Sequence, residues 1–573
     1  MTEKKYDNDE IPTLVKIFAL PIVGFASLGV GFIAVSAVAT TTLAASIGGA
    51  IWIFFGGTGG IDFNLDSAEL LHQGTTGISG TLEESDLWGL TIETGDFDAD
   101  GYGDIVIGVP GKNIKGRTNA GEITVLYGDE SRNPTSRVET INQSNHRVPD
   151  AAETGDRWGA ALTSGDFNGD GFTDLAVGAP GERYGTYENA GAITILYGSK
   201  QGLTSTKSTR FHQDTPEIPD RNETNDHWGS NLESGDFNND GYDDVIIGTP
   251  NESSGDRKES GTLTVLPGSP SGPTSKNAMF LHKGSFNVPG NISPYDRWGS
   301  VLVSSDFNND GYTDIIVGTP DETVGPAQKS GAITILKGGS RGLSGFGSYT
   351  LDQTSPGIGL ITENADYWAD SLAALDFNGD GNTYLAVSAT TESTGTHFDS
   401  GAVSLIWGTK DGLIGVDSIT LTQDSINVPG ENKSKDFWGR LGTTGLLSPQ
   451  RPQSALRTPS GVNVSLLTQK GDDFIVRTPC GHAVVVTGGE ILENIEIVID
   501  PGHGGVDVGA VHHGLIEKKL NLMIAKELVK ELTLRGVNAI LTRTGNYHMP
   551  LSSRGQFADH LNAAAMISIH HNA

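Results

Sequence analysis

Cysteine and positive charge are both scarce in this sequence. A single cysteine, Cys480, occurs among 573 residues, so the chain cannot form an internal disulfide. Lysine and arginine number 38 against 70 aspartates and glutamates, which gives a formal net charge of −32. Because nucleic-acid binding needs a basic face, we expect no nucleic-acid partner. The length leaves room for several domains.

One long stretch lacks charge altogether. Residues 17–61 contain no charged side chain and follow Lys4, Lys5 and Lys16. As a continuous helix they would extend roughly 68 Å, against a bilayer core of about 30 Å. We therefore predict a transmembrane or signal-anchor region at 17–61. Residues 1–16 are expected in the cytoplasm, because lysines flank the inner side of a span.

The number of spans and the processing of this region stay open. Two spans, 17–37 and 42–61, are sterically possible, but a hairpin would return the rest of the chain to the cytoplasm, and we favour one net crossing. Residues 37–39 (Ala-Val-Ala) alternatively fit a signal-peptidase site. Cleavage at this site would give a secreted protein.

Tryptophan recurs with a fixed period in the middle of the chain. Each of six tryptophans follows the previous one by 70 residues: Trp88, Trp158, Trp228, Trp298, Trp368 and Trp438. An acidic loop begins eight residues after each of the first five. Every loop is followed by a short apolar stretch. A second predicted strand comes after that stretch, for example at 191–197. Long β repeats of this kind are typical of propeller blades.

The acidic loops have the ligand pattern of calcium sites. Oxygens at loop positions 1, 3, 5 and 9, with glycine at position 6, offer a hard cation several ligands around a sharp turn. The alternative is a solvated acidic turn that needs no metal. The same spacing in four loops argues against this alternative. The candidate ligands are Asp96, Asp98, Asp100, Asp104, Asp166, Asn168, Asp170, Asp174, Asp236, Asn238, Asp240, Asp244, Asp306, Asn308, Asp310, Asp314, Asp376, Asn378 and Asp380.

The loops differ from EF-hands and from one another. Position 12 of the second loop is Val177 rather than glutamate, and the flanking segments are predicted strands rather than helices. The fifth loop ends in Tyr384 where the others have aspartate. We therefore expect the fifth loop to bind calcium weakly or not at all.

Trp158-Gly159, the aspartate loop and Gly-Ala-Pro at 178–180 resemble the FG-GAP repeat of integrin-α-type propellers, with tryptophan in place of phenylalanine. The resemblance implies an all-β propeller at residues 62–444 whose calcium ions pin the loops. Five complete cycles can be counted, and a sixth begins at Trp438. Residues 62–73 are a candidate closing strand for the last blade.

Residues 445–494 form a bridge between two predicted domains. They begin with a Pro/Gln/Ser-rich linker at 447–454. Arg-Thr-Pro at 457–459 is then echoed at 477–479 around short apolar stretches. This pattern predicts a small β module of hairpins.

Three polar residues near the end of the sequence fall at the ends of predicted elements. His503 follows an apolar strand, Glu517 begins an amphipathic helix, and His570 closes a second apolar strand. Two imidazoles and one carboxylate match the ligand set of a catalytic zinc site, which leaves a fourth position for water. Predicted strands at 495–500, 537–542 and 566–570 alternate with helices at 516–534 and 552–564. That alternation favours a mainly parallel sheet with its site at the carboxyl ends of strands.

Residues 495–573 resemble the zinc-dependent N-acetylmuramoyl-L-alanine amidases, which cut bacterial peptidoglycan. The resemblance rests on Asp-Pro-Gly-His-Gly-Gly at 500–505, Glu-Lys at 517–518, Leu-Thr-Arg at 541–543 and Ser-Ile-His at 568–570. It implies an α/β amidase domain in which His503, Glu517 and His570 bind zinc. The family's proton carrier is a glutamate well downstream of the last histidine, so we expect it beyond Ala573. Either the chain is a fragment, or the domain binds zinc without normal turnover.

The sequence thus predicts a multidomain protein with an N-terminal transmembrane segment, an all-β FG-GAP propeller carrying Ca²⁺, and a C-terminal α/β zinc amidase domain. The expected activity is hydrolysis of the muramoyl-L-alanine amide in the cell envelope. The expected partners are peptidoglycan, the membrane, and a wall polymer or protein ligand on the propeller. A surface adhesion or scaffold protein with an incomplete amidase-like domain is the alternative. The third possible function is that of a zinc hydrolase that cleaves a different amide or peptide.

Overall fold

The computed structural model describes residues 32–37, 49–57, 60–61, 69–80, 83, 85–129, 131, 133–144, 147–376, 382–425, 434–435, 455–460, 462–470, 473–477, 483–492, 495, 497–501, 503, 511–512, 515–535, 537, 539–545 and 565–569.

The described part of the chain is mostly β-structure. Its first strands are β1 (Phe32–Ala37), β2 (Ala50–Gly57), β3 (Gly60–Ile61), β4 (Glu69–Leu71), β5 (Ile92–Gly95), β6 (Asp104–Val109), β7 (Glu122–Tyr127), β8 (Arg137–Ile141), β9 (Ala161–Gly165), β10 (Asp174–Ala179), β11 (Ala192–Tyr197), β12 (Thr204–Phe211), β13 (Asn231–Gly235), β14 (Asp244–Thr249), β15 (Thr262–Leu266), β16 (Met279–Leu281), β17 (Val301–Ser305), β18 (Asp314–Thr319), β19 (Ala332–Lys337), β20 (Ser344–Asp352), β21 (Leu372–Leu375), β22 (Tyr384–Ala389), β23 (Ala402–Thr409) and β24 (Gly412–Leu421).

The remaining described elements follow the propeller repeats. They are β25 (Ala455–Arg457), β26 (Asn463–Lys470), β27 (Asp473–Arg477), β28 (Ala483–Thr487), β29 (Glu490–Leu492), β30 (Ile497–Pro501), β31 (Val511–His512), β32 (Leu515–Ile516), α1 (Glu517–Leu534), β33 (Ala539–Leu541) and β34 (Ala565–Ile569).

The five predicted repeats form five four-stranded antiparallel sheets. Blade 1 contains β5–β8, and blades 2 to 5 follow in steps of four strands up to β24. In each blade the second strand is buried along its whole length, as in Asp104–Val109. Strands covered on both faces are apolar throughout rather than alternating, which explains the continuous apolar stretches after each acidic loop. The prediction of repeated all-β sheets is confirmed.

A buried tryptophan joins neighbouring blades. Trp158 is completely buried, and its backbone N–H donates to the carbonyl of Ala120 in the preceding blade at 3.0 Å. Its indole N–H donates to Thr194 Oγ1 of its own blade at 3.2 Å. The same indole bond recurs in the other blades, from Trp88 to Thr124, Trp228 to Thr264, Trp298 to Thr334 and Trp368 to Ser404.

Glycine is required where these blades meet. Gly121 has a φ of +94°, and a Cβ there would lie 2.1 Å from the carbonyl oxygen of Trp158. Because no side chain fits in that space, the glycine that opens the third strand is fixed by the tryptophan of the next blade.

The predicted anchor region contains strands of the same type. β1 pairs with β2 so that Ala37 faces Ala50, with the spacing along the chain that brings Val109 opposite Glu122 in blade 1. Ile51 of β2 is completely buried and packs in one cluster with Trp88 of blade 1. The structure thus places β1 and β2 in a sheet that packs against blade 1, whereas the sequence assigned them to the predicted anchor at 17–61 rather than to the propeller beginning at residue 62.

The sequence signal is ambiguous for a physical reason. A buried strand such as β2, in which Ile51 and Ile53 are completely buried, can show the same uninterrupted apolar run as a membrane span, and no aspartate loop precedes β1 to reveal the repeat. The segment 62–73 was expected to close the last blade, but its described strand, β4, pairs with β2 instead. In the described residues, no helix has the length and apolar character needed to cross a membrane.

The bridge and the C-terminal segment each form one main sheet, and β31 pairs with β32 in a separate two-stranded sheet. β25–β29 make a five-stranded antiparallel sheet, as the predicted hairpin module requires. In the C-terminal segment β30 lies between β33 and β34 and is parallel to both, and α1 packs on this sheet through Ala525, which is completely buried beside Ile499. The predicted parallel sheet is confirmed, while the helix expected at 552–564 lies outside the described residues. Asn463 Nδ2 donates to the carbonyl of Leu541 at 3.1 Å and joins the two sheets.

Two glutamates on the first strands of blades 1 and 3 are held by serines of the next blade. Ser164 Oγ donates to Glu93 at 3.0 Å, and Ser304 Oγ donates to Glu233 at 2.7 Å. Loss of water on burial, reinforced by repulsion from Glu233, raises the pKa of Glu93 to about 8. Burial likewise raises the pKa of Glu233 to about 7.

We expect Thr264→Val to lower the free energy of unfolding by about 1–3 kcal/mol, because the buried indole N–H of Trp228 loses its acceptor. Thr264→Ser is the matched control, since it keeps the hydroxyl, as blade 5 does with Ser404. Thermal or denaturant unfolding measures the difference. Equal stability of the valine and serine variants would show that this hydrogen bond contributes nothing.

Glu93→Gln should stabilise the protein at pH 8 and leave its stability at pH 4 unchanged. Above pH 4.5, the ordinary pKa of glutamate, ionisation of Glu93 lowers the free energy of the unfolded state. In the folded state ionisation lowers the free energy only above about pH 8. Stability therefore falls across that window in the wild type. We expect a gain of about 1–2 kcal/mol at pH 8, measured by thermal unfolding, with the exposed Glu188→Gln as control. Destabilisation at pH 8 is the opposite outcome and would refute this account.

Candidate functional site

The first predicted zinc ligand follows the central strand of the C-terminal sheet. Val498 and Ile499 of β30 are completely buried, and the strand ends at Pro501, two residues before His503. His503 has a φ of +63°, in the left-handed region. A non-glycine residue adopts this conformation only where the surrounding structure holds it, which is a common feature of functional sites.

The second predicted ligand begins the helix that packs on this sheet. Glu517 is the first residue of α1, and its Oε1 lies 3.2 Å from His503 Nε2. The carboxylate is 7% exposed. Asn521, one turn along the helix, places its Nδ2 3.5 Å from the same oxygen. The structure thus brings together two of the three residues expected to bind zinc.

The third predicted ligand, His570, lies outside the described residues. The strand that precedes it in the sequence, β34, pairs in parallel with β30, and Ile569 lies opposite Pro501. Parallel strands present their carboxyl ends at one edge of a sheet, where sites of open α/β sheets are found.

Buried polar residues hold the two described ligands in place. Asp500, 2% exposed, accepts hydrogen bonds from Thr542 Oγ1 at 2.6 Å and Ser568 Oγ at 2.8 Å. These bonds tie the ends of three parallel strands together. Arg543, 1% exposed, donates to the carbonyls of Pro501 at 2.7 Å and Lys518 at 2.9 Å.

These supporting roles were missed in the sequence. Asp500, Arg543 and Ser568 all occur in the motifs that carried the family resemblance, but their contacts join segments far apart in the chain. A polar residue at the end of an apolar strand was the available signal. Only the parallel strand order shows that Asp500 faces both neighbouring strands.

The two described ligands fit zinc in chemistry and spacing. Zinc prefers imidazole nitrogen and carboxylate oxygen at about 2.0–2.2 Å in a tetrahedral arrangement, which places two ligand atoms roughly 3.3 Å apart. The 3.2 Å separation of His503 Nε2 and Glu517 Oε1 matches that spacing. A hydrogen bond from a second residue to a ligating carboxylate is typical of such sites, and Asn521 lies where it can supply one.

The first four acidic loops share one local structure. The aspartate at position 1 accepts backbone N–H groups from positions 5 and 6, so that Asp166 receives bonds from Asp170 at 3.1 Å and Gly171 at 2.9 Å. The aspartate at position 9 accepts a backbone N–H from the residue after the third strand, as Asp174 does from Gly198 at 2.9 Å. Corresponding bonds recur in the other three loops.

The position-9 aspartates are buried acids. Loss of water raises the pKa of Asp104 and Asp174 to about 8 and that of Asp244 and Asp314 to about 7. Burying charge without a partner is costly. A cation at these positions would remove that cost.

The first and fifth loops depart from the pattern. In the first loop, ligand oxygens of Asp96, Asp98 and Asp104 lie within 4.8 Å of one another, and Arg137 Nη1 lies 2.6 Å from Asp98. The guanidinium therefore competes with a cation there. Asn378 and Asp380 of the fifth loop lie outside the described residues. Its Tyr384 is 4% exposed and packs edge-on against Trp407 with ring centres 5.0 Å apart, so an aromatic ring replaces the position-9 carboxylate.

Comparison with known families supports both parts of the chain. Residues 497–573 match the family described as N-acetylmuramoyl-L-alanine amidase. Residues 88–126, 158–196, 228–266 and 298–336 match the FG-GAP repeat.

Individual proteins resemble only portions of the chain. The phosphatidylinositol-glycan-specific phospholipase D of Bos taurus is 32% identical over 164 residues, covering 28% of this chain and 18% of that protein. Integrin alpha-PS2 of Drosophila melanogaster is 29% identical over 272 residues, covering 46% of this chain and 17% of that protein. Among solved structures, the N-acetylmuramoyl-L-alanine amidase AmiC2 of Nostoc punctiforme is 44% identical, covering 14% of this chain and 44% of that chain, with a TM-score of 0.13.

The matches define what the chain contains. It spans less than a fifth of the length of the two curated relatives, at 18% and 17%. The chain therefore combines FG-GAP repeats at residues 88–336 with a C-terminal segment of the N-acetylmuramoyl-L-alanine amidase type.

Proposed function

We propose that the chain is part of a zinc-dependent enzyme that hydrolyses the N-acetylmuramoyl-L-alanine amide of peptidoglycan. The observation that carries the proposal is the approach of His503 to Glu517, at 3.2 Å, beside the central strand of a parallel sheet. The family match over residues 497–573 supports the substrate class.

The residues of the site have separate tasks in this proposal. His503, Glu517 and His570 hold zinc, which, when bound, polarises an amide carbonyl and acidifies water. Asp500 holds the strand ends in register through Thr542 and Ser568. Arg543 fixes the start of α1 against β30. We assign the proton-transfer role to no carboxylate of residues 497–573, because none matches the family motif.

The repeats would attach the enzyme to its surroundings. In the proposal, Ca²⁺ bound by the first four acidic loops stiffens the propeller, which binds a wall polymer or a protein in the cell envelope. FG-GAP repeats shared with an integrin alpha chain support a location outside the cytoplasm. Attachment to the membrane remains part of the proposal and has no described helix to support it.

A surface adhesion or scaffold protein is the second candidate. It is favoured by the similarity to integrin alpha-PS2, which covers 46% of the chain. In that case the propeller is the functional part and the C-terminal segment does not turn over substrate.

Purified peptidoglycan separates these functions. Incubated with the full-length protein, it should release muropeptides that carry new free L-alanine amino termini while the glycan strands stay intact. Cleavage of a different bond would support the third reading, a hydrolase of another amide. Calcium-dependent binding to walls without any cleavage would contradict the proposed activity and favour adhesion.

His503→Ala and Glu517→Gln should each lower zinc content from about one ion per chain to well below half, because each removes a ligand. Zinc is measured by elemental analysis after dialysis. Glu527→Gln is the matched control, since Glu527 is on the same helix, is exposed, and pairs with Lys530 at 2.8 Å. Unchanged zinc content in both ligand variants would rule out this site.

Chelation of calcium should lower the midpoint of thermal unfolding, because each ion bound at 100 times its Kd stabilises the folded state by about 2.7 kcal/mol. Asp174→Asn should reduce the shift that added calcium produces. Asp376→Asn in the fifth loop should leave it nearly unchanged, since Tyr384 replaces an acid there. Equal effects of the two substitutions, or no effect of chelation, would contradict calcium binding by the acidic loops.

A further inference from the structure

A second set of carboxylates lies away from the acidic loops. In each blade, an aspartate two residues before the tryptophan lies near the residue 24 positions after that tryptophan, and we call this place the tryptophan-side pocket. In blade 3 its carboxylates are Glu223, Asp226 and Glu252, whose oxygens lie within 4.8 Å of one another. Strand β13 separates it from the acidic loop at Asp236. That strand has five residues, a separation of roughly 16 Å.

The same pocket holds a lysine ammonium group in blade 4. Lys283, 4% exposed, places its Nζ 2.5 Å from Glu322 and 3.7 Å from Asp296. These acids occupy the positions of Glu252 and Asp226 in blade 3. A positive charge thus occupies this point in blade 4. In blade 5, no Lys, Arg or His of the described residues forms an ion pair with Asp366 or Glu392, and Gln353 Nε2 donates to Glu392 at 2.6 Å.

Blade 1 supplies the ammonium group from a different chain position. Lys112 stands where blades 2 to 5 have glutamate, and its Nζ lies 2.7 Å from Asp86. Two lysines at different positions of the repeat, Lys112 and Lys283, thus place their ammonium groups in the tryptophan-side pockets of their blades. In blade 2 a guanidinium does part of the same task, since Arg210 lies 3.2 Å from Glu182.

Blade 3 has the carboxylates but no side-chain cation of its own. Asp226 and Glu252 are each 4% exposed, and no Lys, Arg or His of the described residues forms an ion pair with them. The position of Lys283 is occupied by Gln213. A pocket that takes a positive charge in the blades on either side of blade 3 holds here Glu223, Asp226 and Glu252, with Asp220 as a fourth acid that shares the amide of Gln213 with Glu252.

The side-chain oxygen of the glutamine in this pocket receives no hydrogen bond from the described residues. Gln213 is completely buried, and its Nε2 donates to Glu252 at 2.8 Å and to Asp220 at 2.9 Å. Its Oε1 has no hydrogen-bond partner among the described residues. A buried polar atom left in this way calls for a missing partner. Amide oxygens are among the ligand types that hard cations accept, although the corresponding Oε1 atoms of Gln143 in blade 2 and Gln353 in blade 5 also have no partner among the described residues.

We propose that the tryptophan-side pocket of blade 3 binds a divalent cation of the calcium type through Asp226, Glu252 and Glu223, in the place that the Lys283 ammonium fills in blade 4. All the donors are oxygens, as Ca²⁺ requires. The ion offsets buried negative charge that would otherwise be unpaired. This site is additional to the calcium loops of the proposed function and does not depend on them.

Gln213→Lys is the direct test, because it brings the ammonium group of blade 4 into blade 3. Equilibrium dialysis of the full chain against radioactive calcium should show one ion fewer per chain than in the wild type. The variant should also unfold at a higher temperature than the wild type in the presence of a chelator. Gln328→Lys, at an exposed position of blade 4, adds the same charge and should change neither quantity.

The difference between variants isolates this pocket from the acidic loops. If those loops bind no calcium, both totals fall equally and the difference of one ion remains. Equal stoichiometry in the wild type and folded Gln213→Lys would overturn the proposal, and would show that the acids share protons instead. If Gln213→Lys does not fold, Glu252→Gln provides the measurement, with at least a tenfold loss of affinity expected at one site. Unchanged binding in Glu252→Gln would likewise overturn it.

Discussion

The hydrogen bond from each buried indole to a hydroxyl of its own blade is the contact around which the repeat is built. Trp158 reaches Thr194 with its side chain while its backbone N–H bonds to Ala120 of the preceding blade. One residue thus connects two sheets without leaving a buried donor unpaired. The close approach of its carbonyl to Gly121 then fixes where the third strand of the neighbouring blade begins.

This junction also determines where the negative charge of the repeats is placed. In blade 3, strand β13 runs from the tryptophan-side pocket to the acidic loop, so that carboxylates gather at both of its ends. Buried acids are tolerated only when they are protonated or paired. The chain pairs some of them with Lys112, Lys283 or Arg210. The cations that we propose would pair with the acids of the first four loops and with Asp226 and Glu252 of blade 3.

Much of this organisation could be predicted from the sequence. The tryptophan period gave the blades, since a residue buried at every junction must recur once per blade. The alternation of apolar runs with an amphipathic helix predicted the parallel sheet, and the motifs at 500–505 and 517–518 contain the two predicted zinc ligands, which the structure places 3.2 Å apart. These features depend on local sequence or on exact repetition.

Features that depend on distant contacts could not be predicted in this way. β1 and β2 were assigned to a membrane anchor, because their apolar sequence shows no polar alternation. The pocket of blade 3 was missed because Gln213 and Glu252 are 39 residues apart and match no local motif. The role of Asp500 appears only when β30 lies between β33 and β34.

X-ray absorption at the zinc edge of the purified full-length protein tests the central claim most directly. The account predicts a first shell of nitrogen and oxygen only, with two imidazoles contributed by His503 and His570 and a carboxylate by Glu517. Loss of one imidazole is expected in His503→Ala. Sulfur in the first shell, or a protein that binds no zinc, would contradict it.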